Sequence, residues 1–122
     1  MNNPVIIYHE NGNIKSEHWY KDDKYHRLDG PAFISYYDNG NIKSENWYKD
    51  DTAFIYYYEN GNIKSEWWYK DGKAHRENGP AIIYYYPNGN IKSEWWYIND
   101  EELSYNEWLV RSRKRKLEKL YE

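Results

Sequence analysis

Two histidine-arginine pairs are the residues of this 122-residue chain whose types could carry acid–base or metal chemistry. The pairs His26–Arg27 and His75–Arg76 each have an acidic residue two or three positions after the histidine. Catalysis needs several different groups that converge on one place, whereas these pairs recur at the same place in a repeated sequence. We therefore expect the pairs to bind Glu17 and Glu66 across neighbouring strands, and we predict no catalytic, cofactor-binding or metal-binding residues.

Tryptophans form the second set of candidate residues. Four of them lie in recurring triplets that end in Trp-Tyr, and two more occupy the variable position before the second tryptophan. Stacked rings on an exposed sheet can bind sugars, bases or proline-rich peptides, although aromatic rows in repeat proteins also serve as packing. The candidate ligand or partner surface comprises Trp19, Trp47, Trp68, Trp96, Trp67 and Trp95.

A basic run near the C-terminus, Arg111, Arg113, Lys114 and Arg115, is a candidate phosphate contact, with a solvated helix face as the alternative interpretation. The formal charge of the whole chain is −3 at pH 7. That balance gives no overall attraction to polyanions, so we do not expect nucleic acid to be the main partner. The basic run remains the one segment suited to a phosphate-bearing surface.

Composition indicates a soluble protein of the reducing cytoplasm. Cysteine is absent, which excludes disulfides and thiolate metal sites. The segment Met1–His9 has no basic region and an apolar run too short for a signal peptide or a membrane span. Aromatic residues make up 20% of the chain. Their rings suit a thin sheet, because a tyrosine or tryptophan can pack its ring while its polar tip stays in water.

A repeated heptapeptide organises the chain. The sequence Asn-Gly-Asn-Ile-Lys-Ser-Glu begins at Asn11, Asn39, Asn60 and Asn88, and these starts lie 28, 21 and 28 residues apart. The middle unit is therefore seven residues shorter than its neighbours, which carry an additional segment around His26 and His75. Periods of this length indicate stacked supersecondary units that bury their surface against one another.

Each heptapeptide opens the second strand of a predicted β-hairpin. The alternating runs are Val5–His9 with Ile14–Tyr20, Phe33–Tyr37 with Ile42–Tyr48, Phe54–Tyr58 with Ile63–Tyr69, and Ile82–Tyr86 with Ile91–Tyr97. Pro87 favours a three-residue loop, Pro87-Asn88-Gly89, over a two-residue turn that would need its missing N–H. We predict the same loop for Lys70-Asp71-Gly72 and its equivalents, where Asp23, Asp51 and Asp100 replace glycine.

A register follows from the three-residue loop. It pairs Tyr36 with Ile42, Ile34 with Ser44 and Phe33 with Glu45, which predicts one apolar face and one mixed face that carries the Lys, Glu and Trp positions. The fold class is mainly β, an elongated antiparallel meander of hairpins in a single curved sheet. The additional segments fit either a short strand, over Lys24–Arg27 and Lys73–Arg76, or a wide loop.

The segment after residue 100 predicts a capping element. Ser104 and Glu107 form an S-x-x-E capping box, and apolar residues then recur near a helical period from about Tyr105 to Leu120. We divide the chain into a hairpin repeat domain, 1–100, and a C-terminal amphipathic capping helix, 101–122. Such a helix would cover the last strands of the sheet.

The recurring Tyr-Tyr-x-Asn-Gly-Asn-Ile-Lys-Ser-Glu, together with His-Arg-x-x-Gly-Pro-Ala at 26–32 and 75–81, resembles the divergent variant of the MORN repeat over about residues 3–100. The resemblance implies a twisted sheet of hairpins and a role in assembly or protein contact, or an association with membrane surfaces, without catalysis. Similar repeats are abundant in large DNA viruses and some bacteria. If the protein is viral, its expected location is the host cytoplasm. The glycines of this chain lie almost entirely in turns, unlike those of the standard MORN pattern.

These observations lead to two function hypotheses. The first is a non-catalytic scaffold or protein–protein interaction module without a cofactor, which could pair with a second copy through an N-terminal edge strand. The candidate dimer edge is Val5, Ile6, Ile7 and Tyr8, because Pro4 protects only its start. The second is a module whose aromatic face binds a linear ligand such as a glycan, a peptide or single-stranded nucleic acid.

Overall fold

A computed structural model describes residues 3–49 and 51–121 as a mainly β protein with one C-terminal helix. All strand pairs are antiparallel, and ten strands form one sheet in the order β1-β2-β5-β6-β7-β8-β10-β11-β12, with β9 beside β8. A separate two-stranded sheet pairs β3 with β4. The predicted meander of hairpins is therefore confirmed. Its elements are β1 Val5–Tyr8, β2 Ile14–His18, β3 Tyr20–Lys21, β4 Lys24–Tyr25, β5 Phe33–Tyr36, β6 Ile42–Trp47, β7 Thr52–Tyr57, β8 Ile63–Lys70, β9 Lys73–Ala74, β10 Ile82–Tyr85, β11 Ile91–Ile98, β12 Glu101–Leu103 and α1 Tyr105–Leu120.

The heptapeptide turns are three-residue loops, as Pro87 indicated. Tyr86 N–H donates to the carbonyl of Asn90 at 2.8 Å, and Gly89 N–H donates back to the carbonyl of Tyr86 at 2.9 Å. Gly89 has a φ of 94°, a left-handed conformation that glycine adopts without steric strain. The side chain of Asn88 accepts from Asn90 N–H at 2.9 Å, which explains why an asparagine precedes the glycine.

Asparagine side chains also join successive turns. The Nδ2 groups of Asn60 and Asn62 both donate to the carbonyl of Pro87 in the next heptapeptide turn, at 3.0 and 2.8 Å. Asn11 and Asn13 make the same contacts with the carbonyl of Asp38. In the first and third heptapeptides, the two asparagines therefore shape their own turn and join it to the next heptapeptide turn.

The prediction of three-residue loops at the second set of turns is wrong. Lys70 pairs directly with Lys73, so Asp71-Gly72 is a two-residue turn, and both residues have positive φ, 51° and 76°. Asp22-Asp23 and Asn99-Asp100 have the same conformation. These are the torsions of a type I′ turn, whose twist matches that of the flanking strands. The expected loop at Asp51 includes residue 50, which lies outside the described residues.

The predicted register holds only next to the turns. Tyr36 does pair with Ile42, but a β-bulge in the adjoining step leaves Ser35 opposite Ser44 and Ile34 opposite Glu45. The partners predicted for Ile34 and Phe33 are therefore wrong by one residue. Because side chains alternate between faces, this shift moves the glutamates to the face that carries the isoleucines.

Each face of the sheet consequently has a regular pattern. One face, here called the Trp–Glu face, bears a row in which glutamate and isoleucine alternate from strand to strand: Glu17, Ile34, Glu45, Ile55, Glu66, Ile83 and Glu94. The triplet tryptophans lie two residues further along and share this face. The opposite face carries the serines of the heptapeptides together with Phe54, Trp67, Tyr84 and Trp95. The Glu and Trp positions do share one face as predicted, but the prediction that the isoleucines lie on the other face is wrong.

The additional segments combine both forms that the sequence left open. Each starts with a two-residue strand, β4 or β9, that pairs with the preceding strand, and continues as a loop over 26–31 or 75–80. Their glycines, Gly30 and Gly79, are buried. We refer to the two loops as the insert loops.

Helix α1 spans Tyr105–Leu120 as predicted, and both hydrogen bonds of the Ser104–Glu107 capping box form. Its first half packs on the Trp–Glu face, where Trp108 is buried against Ile98 and Leu103. Its last turn is exposed, with Leu120 76% accessible. Leu103 belongs to β12, which pairs with β11, so the sheet extends beyond the boundary at residue 100 that the sequence indicated.

Candidate functional site

Tryptophan and alanine alternate along one row of the Trp–Glu face. Ala53 lies between Trp47 and Trp68 and pairs with both. Trp19 lies beside Ala32 in the same way, and the backbone N–H of Trp19 donates to the carbonyl of Ala32 at 2.7 Å. The alanines are buried and small, so an indole can lie beside them on the sheet surface. The question for function is therefore what covers each indole.

An arginine of the insert loop covers two of the four indoles. The Arg27 guanidinium carbon lies 4.0 Å from the ring centroid of Trp19, and that of Arg76 lies 4.2 Å from Trp68. Both distances are typical of cation–π stacking. Each arginine also donates through Nη1 to a proline carbonyl in its own loop, at 3.4 and 3.2 Å.

The glycines of the insert loops make room for these arginines. A Cβ atom on Gly30 would lie 2.9 Å from the guanidinium carbon of Arg27, and one on Gly79 would lie 3.1 Å from that of Arg76. Any larger residue would displace the guanidinium. The pattern His-Arg-x-x-Gly-Pro therefore describes an arginine held between an indole and a glycine.

Helix α1 covers the fourth indole. The ring of Trp96 lies 4.5 Å from that of Trp108 and 4.9 Å from that of Tyr105. Trp108 is fixed in turn, because its indole N–H donates to the carbonyl of Arg76 at 2.8 Å. Trp96 is thus part of the core beneath the helix.

Trp47 belongs to the short middle unit, which has no insert loop. Within residues 3–49 and 51–121, no arginine stacks on this indole, and its ring borders an open cleft of about 710 Å³. The first insert loop forms one wall and the sheet forms the floor. The lining comprises Leu28, Asp29, Glu45, Trp47, Lys49, Asp51, Ala53, Ile55, Tyr57, Ile63 and Trp68. We call this the Trp47 cleft.

The Trp47 cleft has an apolar floor and an acidic wall. Three carboxylates, from Asp29, Glu45 and Asp51, line it with one cation, Lys49. Glu45 accepts a 2.5 Å hydrogen bond from the hydroxyl of Tyr57. Burial and the bond to Glu45 both raise the pKa of Tyr57, so its hydroxyl stays protonated at neutral pH. A hydrogen bond from Arg27 lowers the pKa of Asp29, which keeps that carboxylate charged.

The six candidate tryptophans do not form a single surface. Trp67 and Trp95 lie on the opposite face, where Tyr84 makes edge contacts with both at 5.6 and 5.4 Å. A second cleft of about 530 Å³ lies there, lined by tyrosines, Trp67 and two lysines. The aromatic rings on this face already contact one another.

The histidine-arginine pairs make contacts within the fold, but only one predicted partner is correct. Arg76 Nη1 lies 3.8 Å from Glu66, whereas Arg27 binds Asp29 at 3.0 Å instead of Glu17. His75 is 2% exposed and contacts Arg115, while its Nδ1 accepts from the backbone N–H of Asn99 at 3.1 Å. Burial, followed by the charge of Arg115, lowers the pKa of His75.

The predicted phosphate contacts point to different sides of α1. Arg111 makes a bidentate pair with Glu101, at 2.7 and 3.1 Å, and Arg115 binds Glu77 at 3.1 Å. Arg113 and Lys114 are exposed. Residues four apart share a helix face, so Arg111 and Arg115 connect the helix to β12 and to the second insert loop, although Arg111, like Arg113 and Lys114, is exposed to solvent.

The candidate edge strand is accessible along its length. β1 pairs only with β2 among the described residues, and its side chains are 54% (Val5), 36% (Ile6), 46% (Ile7) and 59% (Tyr8) exposed. No helix within residues 3–49 and 51–121 is long and apolar enough to cross a membrane.

The fold defines a β-hairpin repeat module with an open cleft on its Trp–Glu face. Comparison with protein families identifies the repeat, because the model of the MORN repeat variant matches residues 1–22, 32–50, 51–71 and 82–99. The chain belongs to the MORN repeat variant family, whose repeats often mediate protein or membrane interactions and are generally non-catalytic. No curated protein and no solved structure matches it.

The matched segments leave out most of the two insert loops. The family pattern therefore describes the hairpins, and the His-Arg-x-x-Gly-Pro segments fall outside it. Sequence reasoning noticed that the middle unit was seven residues shorter but did not predict a cleft there. The available signal was the missing segment itself, because the middle unit lacks the residues that follow the triplet tryptophan in the first and third units.

Proposed function

We propose that this protein is a non-catalytic interaction module that binds a segment of a partner protein in the Trp47 cleft. The observation that supports this proposal is that, among the described residues, neither an arginine nor helix α1 stacks on the half-buried indole of Trp47, whereas one or the other stacks on each of the other three indoles of the row. An accessible aromatic ring on a rigid, largely apolar floor is the usual anchor of a protein-recognition site.

The mixture of groups in the Trp47 cleft favours a peptide over a glycan or a nucleic acid. Its carboxylates repel phosphates, which disfavours single-stranded nucleic acid. Ile55, Ile63 and Ala53 supply an aliphatic floor that suits apolar side chains better than sugar hydroxyls. One charged wall beside an apolar floor is how a groove fixes the orientation of a bound chain.

A binding experiment tests this function. Indole N–H signals in a ¹⁵N-labelled protein are followed during titration with cationic, anionic and apolar peptides, a glycan mixture and an oligonucleotide, at two salt concentrations. We expect saturable shifts of the Trp47 signal with a peptide. Trp47→Leu should abolish binding, and Trp95→Leu, on the opposite face, is the matched control that should retain it. Binding that depends on Trp95, or only on the glycan or the oligonucleotide, would overturn the proposal.

Self-association through β1 is a second candidate function, which the exposed edge favours. Two copies related by a two-fold axis could pair their β1 strands antiparallel and continue the sheet. Light scattering should then show a dimer that Ile6→Lys dissociates. Leu120→Lys, on the exposed end of α1, is the control and should leave the dimer intact. The reverse pattern would place the contact on the helix, and a monomer at all concentrations would remove the hypothesis.

A further inference from the structure

The protein covers the same indole in the same way twice. Above Trp19 and above Trp68, a guanidinium carbon lies 4.0 and 4.2 Å from the ring centroid, and a glycine lies close to each guanidinium. Both insert loops reach this arrangement from the sequence Arg-x-x-Gly-Pro. The surface around Trp19 and the surface around Trp68 therefore each accept an arginine that comes from the chain itself.

The surroundings of Trp47 match those of Trp68. Ala53 is paired with both indoles, and Glu45 precedes Trp47 by two residues just as Glu66 precedes Trp68. In the occupied unit, Glu66 lies 3.8 Å from the guanidinium of Arg76. A guanidinium stacked on Trp47 would lie within similar reach of Glu45, and Asp29 and Asp51 add negative charge to the same cleft.

We infer that the partner segment bound in the Trp47 cleft presents an arginine, whose guanidinium stacks on Trp47 and faces Glu45. This inference rests on the proposed function and specifies its ligand. The partner thus provides at Trp47 the guanidinium that Arg27 and Arg76 of the chain itself provide at Trp19 and Trp68. Lysine is a poorer fit, because a compact ammonium lacks the planar surface that stacks on an indole.

The chain itself provides the probe. A peptide with the sequence of residues 24–32, Lys-Tyr-His-Arg-Leu-Asp-Gly-Pro-Ala, contains the arginine, the glycine and the proline in the spacing that forms the stacked loop. We expect it to shift the indole signal of Trp47 saturably. Replacing its arginine by glutamine should weaken binding at least tenfold, and replacing it by lysine should give an intermediate loss.

Two variants of the protein locate the site. Glu45→Gln should weaken binding of the arginine peptide severalfold and reduce the salt dependence of that binding, with little effect on the glutamine peptide. In the second variant, a copy of residues 20–31 replaces residues 48–52 and so gives the middle unit its own insert loop. This variant should not bind the peptide, because its own arginine fills the Trp47 cleft. Circular dichroism and the melting temperature establish that each variant is folded.

The outcomes separate this inference from the proposed function. Equal binding of the arginine and glutamine peptides, both dependent on Trp47, would overturn the arginine inference while leaving the Trp47 cleft as a binding site. Failure of the arginine peptide to bind at millimolar concentration would also overturn it, and the peptide panel would then decide the proposed function independently. An arginine peptide that binds equally well to the variant with the grafted loop would place its site elsewhere.

Discussion

Replacing Arg76 by alanine tests whether an arginine on an indole stabilises this fold. The side chain of Arg76 stacks on Trp68 at 4.2 Å, donates to the Pro80 carbonyl at 3.2 Å and lies 3.8 Å from Glu66. It is 21% exposed and Glu66 is 12% exposed, so solvent screens these contacts only in part. The change should therefore lower the free energy of unfolding.

The size of the effect follows from these contacts. A partly desolvated cation–π contact contributes about 1 kcal/mol, the hydrogen bond to Pro80 contributes about 1 kcal/mol, and the ion pair with Glu66 contributes about 0.5 kcal/mol. Alanine would also leave Gly79 and Trp68 without a packing partner. We expect Arg76→Ala to destabilise the protein by about 2 to 3 kcal/mol and to lower its melting temperature by roughly 10 °C.

Urea unfolding, followed by tryptophan fluorescence and by circular dichroism, measures the loss. Arg113→Ala is the matched control, because Arg113 is exposed on α1 and alanine favours helix, so its effect should stay within about 0.5 kcal/mol. Arg76→Lys should give an intermediate loss, since it keeps the charge but not the planar group. An Arg76→Ala protein as stable as the wild type would refute the idea that covered indoles depend on arginine, and would weaken the inference for Trp47.

Three further predictions concern turns and titrating groups. Gly89→Val should cost at least about 1 kcal/mol, because a β-branched residue is strained at a φ of 94°, and Gly89→Asn should cost less. Burial and the charge of Arg115 lower the pKa of His75 in the folded state, so the free energy of unfolding should decrease as the pH falls below about 6.5. Urea unfolding at pH 5 and pH 7.5 should show that this pH dependence is smaller in His75→Gln. Burial and the bond to Glu45 raise the pKa of Tyr57, so the contribution of its hydroxyl to the free energy of unfolding is complete below about pH 10 and decreases above it. Unfolding of the wild type and of Tyr57→Phe between pH 8 and 11 measures this contribution.

Each of these has a result that would contradict it. An unchanged melting temperature in Gly89→Val would mean that the turn is not left-handed there. If His75→Gln lost stability with acid as steeply as the wild type, another group would be responsible. For Tyr57, an alkaline profile identical to that of the phenylalanine variant would remove the hydroxyl from the explanation.

The sequence by itself determined the local elements. The Asn-Gly of each heptapeptide favours a turn with a left-handed glycine between two alternating runs, so the four hairpins and the three-residue loop at Gly89 were predictable. The capping box at Ser104 and Glu107 likewise determined where α1 begins. In each case the hydrogen-bonding groups lie within a few residues of one another.

Only the tertiary structure decided which side chains share a face. A single bulge next to Tyr36 shifts the register by one residue, and because the strand period is two, that shift places Glu45 beside Ile34 and Ile55. The cover of each indole was also undecided, since Arg76 reaches Trp68 only after the chain has turned twice. The Trp47 cleft exists because the units stack side by side while the middle unit has neither the insert loop that covers Trp19 and Trp68 nor the helix that covers Trp96.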